Sequence, residues 1–146
     1  MNLDKPIGNP SYGLMFLRLA LGAFFLFSGL AKIDDPGILI RQVKNTGMLP
    51  DQWATVYAIL LPYLEILGGV LLVSGFWTTL GSVLITICVG SVMHIFGPGL
   101  GQVVSATGVF KPSGVVTKDL ILLAASIAMM FTGPGAFSID GFRKTN

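Results

Sequence analysis

Four long apolar stretches, at about residues 12–33, 53–74, 77–96 and 115–132, take up most of this chain of 146 residues. A helix needs about 20 such residues to cross the hydrocarbon core of a bilayer. In lipid every backbone polar group must be satisfied within the protein, so stretches of this kind fold as helices. Charged residues make up only 11% of the chain, against 53% hydrophobic. A soluble domain carries about 25% charged residues, so this chain cannot cover a water-facing surface. The expected fold is all-α: one domain, residues 1–146, forming an integral membrane bundle of four transmembrane helices.

Ionisable residues lie inside those stretches: Arg18, Glu65 and His94, with Lys32 and Asp119 at stretch ends. A charge at membrane depth is expensive and marks a candidate functional site by default.

Several function classes drop out. The net charge of +2 and the lack of a basic cluster give no footprint for nucleic acid. Cys88 is the single cysteine, so an internal disulfide, a CxxC pair or a thiolate zinc cage is excluded. His94 is the single histidine, which rules out two-histidine haem ligation, and no metal or haem is expected. No GxSxG, P-loop or HExxH motif occurs. Gly97-Pro98-Gly99-Leu100-Gly101 has no preceding strand, so it is not a dinucleotide loop. Lys5, the run at 14–30, Gly29 and Ala31 imitate a signal peptide, but Arg18 and the length of the run argue against cleavage.

Punctuation divides the chain clearly. Asp35 and Pro36 suit a helix start, and Ile38, Leu39, Ile40 and Val43 alternate with Arg41, Gln42 and Lys44. Residues 36–46 therefore read either as a short interfacial helix or as an ordered loop. Pro62, inside the second stretch, strands the carbonyl of Ala58. Gly75-Phe76 is so short a link that the second and third helices must be antiparallel neighbours. The Gly-, Ser- and Thr-rich segment at 97–117 reads as a long loop, and Gly133-Pro134-Gly135 stops the fourth stretch.

Four spans put both termini on one side. Lys5, Arg143 and Lys144 lie there, against Lys32, Arg41, Lys44, Lys111 and Lys118 on the loop side. That balance does not orient the protein. The working expectation is a bacterial-type inner membrane with the termini cytoplasmic. Tyr12, Trp53, Tyr57 and Trp77 fall near span ends as an interfacial belt. Phe24, Phe25 and Phe27 read as packing or lipid-facing residues.

A helix rises about 1.5 Å per residue, which sets each residue's depth below the helix ends. On that count Arg18 lies roughly 9 Å, and Glu65 roughly 13 Å, below the terminal side. The two are expected to form an intramembrane ion pair, a polar centre that either fixes helix register or holds a polar ligand group. His94, Lys32 and Asp119 are expected to converge under the loops as a quinone or proton site.

The motifs also have a familiar order. Arg18-Leu19-Ala20-Leu21-Gly22 and Phe27-Ser28-Gly29-Leu30-Ala31-Lys32 come first. Pro62-Tyr63-Leu64-Glu65-Ile66-Leu67-Gly68-Gly69 and Leu71-Leu72-Val73-Ser74-Gly75-Phe76 follow, with a histidine late in the third span. Gly133-Pro134-Gly135-Ala136-Phe137-Ser138-Ile139-Asp140 closes the series. Over residues 14–142 the chain resembles the DoxX family of small four-helix membrane proteins. That resemblance implies a subunit linked to a quinone-dependent oxidoreductase or a redox-stress complex, with Arg18, Lys32, Glu65 and His94 at the family positions.

The expected function is thus a membrane subunit of an oxidoreductase complex that meets quinone and carries no redox cofactor of its own. The expected partners are the bilayer and either other membrane or peripheral subunits or further copies of the chain. Two rivals stand beside this reading. One is a non-catalytic assembly or anchoring subunit. The other is a small-solute or proton-coupled transporter, against which the lack of repeated halves counts.

Overall fold

The computed structural model of the chain describes residues 8–96 and 114–140, with the backbone alone at 114–117. Regular structure among the described residues is wholly helical: α1 (Pro10–Asp34), α2 (Pro36–Asn45), α3 (Asp51–Ser74), α4 (Thr78–Phe96) and α5 (Gly114–Thr132). The helix ends fall within two residues of those read from the sequence, and residues 36–45 form a helix rather than a loop. The segment at 97–113, which includes the glycine-rich motif and Lys111, lies outside the described residues, as do Lys5, Arg143 and Lys144.

α1, α3 and α4 are each long and apolar enough to cross a membrane. The expected four-span bundle is thus reached for three spans. α5, 19 residues long, forms where the fourth span was expected and packs beside α4.

Local chemistry explains the helix ends. The Asn9 side chain accepts from Ser11 N at 3.0 Å and caps α1. Gly75, at φ +67°, ends α3 in the left-handed conformation, its N–H donating to the Leu71 and Leu72 carbonyls.

α3 is the central helix, held by two adjacent glycines that face different neighbours. A Cβ at Gly69 would sit 2.8 Å from both Gly22 O and Leu26 N of α1. A Cβ at Gly68 would sit 2.8 Å from the Ile85 side chain of α4. Close backbone approach of this kind is how helices associate in lipid, where apolar burial gives no preference for a neighbour. On α1, Gly29 meets Pro62 O and Ile66.

Two apolar clusters fill the interior. One gathers Leu39 and Val43 of α2, Ala54, Ala58 and Leu61 of α3, and Cys88 and Ile95 of α4. It fixes α2 against the bundle, and Cys88 serves there as a small buried apolar residue. The other joins Leu21, Phe25, Leu72, Ile85, Val89 and Met129 from the four long helices. Thr86 Oγ1 donates to Ser126 Oγ at 2.9 Å and links α4 to α5. Phe16, Trp53, Leu60, Ile87, Ile121 and Phe131 point outward, an apolar exterior suited to lipid.

Candidate functional site

The ionisable residues separate into two centres at opposite ends of the bundle. At the terminal end Arg18 is almost fully buried. Its guanidinium donates through Nη1 to Pro134 O at 2.7 Å and through Nη2 to Phe137 O at 3.0 Å. The planar fork of arginine suits two carbonyls presented by one turn of chain. Those carbonyls belong to the segment following α5, which is sewn to the bundle by further bonds. Ala136 N donates to Ser11 O, and Asp140 N donates to Gly75 O. The Asp140 carboxylate accepts from Trp77 N, Thr78 N and Thr78 Oγ1, at 3.1, 2.9 and 3.2 Å. It therefore caps the N-terminus of α4 from a distant part of the chain, where an anion is favoured by the helix dipole. Gly75 leaves room for this arrangement, since a Cβ there would lie 2.7 Å from Arg18 Nη1 and 2.8 Å from Ser138 Cβ. We call this assembly the clasp.

At the loop end a cavity of about 550 Å³ opens among α1, α2, α3, α4 and α5. Its polar heart is an ion pair: Lys32 Nζ lies 2.5 and 2.6 Å from the two oxygens of Glu65. The Glu65 side chain is 3% exposed and that of Lys32 29%. A second pair, Lys118 Nζ to Asp119 Oδ1 at 3.7 Å, lines the same space. Lys118 Nζ also sits 5.6 Å from the centre of the Phe24 ring. Ser28, together with Gln42 and Asn45 of α2 and Thr46 just after it, adds uncharged polar groups, while Phe25, Leu61 and Val89 contribute to the apolar wall. Lys32 stands in the last turn of α1. Side chains on a helix lean toward its N-terminus, so the lysine stem reaches back to Glu65.

The expected Arg18–Glu65 ion pair does not form. Gly29, not Arg18, lies level with Glu65, as the contacts of Gly29 with Pro62 and Ile66 show. Arg18 lies level with Gly75 at the end of α3. Eleven residues of α1, roughly 16 Å, separate the two levels. Counting depth from helix ends failed because α1 overhangs α3, and the overhang is where the clasp binds.

The expected trio of Lys32, His94 and Asp119 is met in part. Lys32 and Asp119 line one cavity, whereas His94, in the last turn of α4, is exposed and does not line it. Sequence reasoning missed Lys118, Ser28 and the polar face of α2 as cavity residues. Phe25, Ser28 and Lys32 recur at helical spacing on one face of α1, a signal that was available. Asp140 was also missed as a cap, because its partners lie over 60 residues away. Among the described residues no group of three or more His, Cys, Asp or Glu side chains is placed to hold a metal.

A helical membrane protein with buried, paired charges around a cavity at one end is the class that fold and site define together. The family model described as methylamine utilisation protein MauE matches residues 10–132, from the start of α1 to the end of α5, and the chain belongs to the MauE family. The resemblance to DoxX is corrected by that match. Much of its pattern came from Gly22, Gly29, Gly68 and Gly69, which lie at helix crossings. Glycines at crossings are a general requirement of packing in membranes and do not identify a family. No curated protein and no solved structure matches the chain.

Proposed function

We propose that this MauE-family chain is a membrane accessory protein of a methylamine-utilisation system, and that its loop-end cavity receives the headgroup of a quinone. The observation that carries this reading is the Lys32–Glu65 pair at the edge of a mostly apolar cavity rather than in a sealed core. An ammonium has three donors. Lys32 directs its bonds at one carboxylate, which leaves donor capacity for a ring carbonyl. Phe24, Phe25 and Phe96 offer aromatic surface to a planar ring, and Glu65 stands ready to accept a hydroxyl proton from the reduced form.

In this account α5 crosses the bilayer with α1, α3 and α4, α2 lies in the interface over the cavity, and the clasp faces the cytoplasm across an inner membrane. Electrons come from a partner's cofactor, because this chain brings none of the cysteine pairs that would carry them.

The test is quinone content after extraction in mild detergent, wild type against Glu65→Gln. Quinone that accompanies the wild type and falls about tenfold in the variant, at unchanged protein yield, supports the reading. An equal fall in yield and quinone assigns the pair to assembly alone.

A further inference from the structure

We infer that the same cavity takes a small primary alkylammonium ion, and that Lys32 occupies the ammonium position as a displaceable stand-in. The inference rests on the cavity as a ligand site but is independent of the quinone headgroup.

The asymmetry within each ion pair is the starting point. The two carboxylates are fixed and nearly out of reach of solvent, at 3% exposure for the Glu65 side chain and 9% for Asp119. Their cations are the ends of long flexible stems, 29% exposed for Lys32 and 56% for Lys118. A buried carboxylate needs a cation beside it. Nothing requires that cation to stay tethered. Lys32 stands in the last turn of α1, so its ammonium reaches loop-side water by a change of rotamer.

The surroundings suit an organic ammonium. The two carboxylates balance the two lysines, so each lysine that swings out leaves a vacancy for a cation. Phe24 already holds a cation near its face, with Lys118 Nζ at 5.6 Å, the arrangement in which an aromatic ring attracts an ammonium. The remaining space is bounded by apolar groups including Phe25 and Val89, which fit a short alkyl chain. Lys32 Nζ bonds both oxygens of Glu65, which requires N–H donors on the cation. A primary ammonium supplies those donors and a quaternary one does not. The exchange leaves no carboxylate unpaired: one ammonium leaves Glu65 as another arrives.

Lys32 competes as a tethered group, at an effective concentration of roughly millimolar or above. An alkylammonium therefore binds the wild type weakly, in the millimolar range, and at least about tenfold more tightly when the tether is removed.

The experiment is saturation-transfer NMR on the full chain in detergent micelles, with methylammonium chloride as probe and tetramethylammonium chloride at equal ionic strength as competitor. The expected result is saturable transfer in wild type, at least tenfold tighter in Lys32→Met, lost in Glu65→Gln, and not displaced by tetramethylammonium. If Lys32→Met does not fold, the wild-type titration against Glu65→Gln decides. Non-saturable transfer in a folded Lys32→Met or in wild type overturns the inference, as does equal binding in Glu65→Gln. Quinone content measured on the same samples separates the two readings. Amine binding without quinone removes only the quinone headgroup, and quinone without amine binding removes only this inference. The absence of both removes the cavity as a ligand site.

Discussion

The clasp and the cavity bury similar side chains for different ends. In the clasp the cation meets backbone carbonyls close against Gly75, and the carboxylate meets two backbone N–H groups and the Thr78 hydroxyl. Each partner is part of the chain's own framework, so a change of partner means a change of fold. In the cavity the cations meet side-chain carboxylates beside about 550 Å³ of space, and the cations are the more exposed members. Burial of charge alone does not identify a functional site. What distinguishes one is whether the partner can be exchanged without dismantling the backbone.

That contrast gives a ranked set of expectations. The largest effect belongs to Arg18→Ala, which leaves the Pro134 and Phe137 carbonyls without their buried donor. Hydrogen bonds to a charged group contribute about 1.5–3 kcal/mol each, so a loss of about 3 kcal/mol or more should appear as a sharply lowered unfolding temperature in detergent. Arg18→Lys should recover only part of it, since a lysine does not reproduce the planar fork. Next comes Gly69→Ala at the crossing of α1 and α3, where the added carbon meets backbone at 2.8 Å. Overpacking of this kind costs about 1–3 kcal/mol, again read by thermal unfolding. If Gly69→Ala were silent, the tight α1–α3 contact would be in doubt.

Glu65→Gln sharpens the comparison because its two readouts should diverge. It keeps the shape of the side chain and costs about 1 kcal/mol of stability, so the chain stays folded, while the ligand retained per folded molecule falls about tenfold. A variant whose ligand loss only tracked its loss of folded protein would place Glu65 with the clasp. The smallest effect should come from Lys118→Ala. Its ion pair is loose and half exposed, so the stability change should stay within about 0.5 kcal/mol.

The legible and illegible parts of this molecule follow the range of the forces involved. Helix positions were legible because hydropathy and the residues Pro36, Gly75 and Gly133 act locally. Lys32, Glu65 and Asp119 were also legible as candidates, since a charge within an apolar stretch stands out. Their partners were not. Pairing depends on how far α1 slides past α3, which Gly22, Gly29 and Gly69 set by contact rather than by spacing. His94 looked equivalent to Lys32 by depth, yet it lies on an exposed face of α4, and single-residue depth carries no information about face. Asp140 gave no sign of its role in the sequence because the cap depends on a contact more than 60 residues away along the chain.

The central claim is that the cavity, and not the clasp, is where this protein meets its ligand. It is tested most directly by adding a short-chain quinone to purified wild type, Glu65→Gln and Arg18→Lys, and following the unfolding temperature of each across a concentration series. Ligand that binds only the folded state raises that temperature by an amount that grows with the logarithm of its concentration above Kd. The account predicts that rise in wild type and in whatever fraction of Arg18→Lys is folded, with about tenfold more quinone needed to begin it in Glu65→Gln. A full rise in Glu65→Gln, or its loss in folded Arg18→Lys alone, would contradict the account and place the ligand at the other end of the bundle.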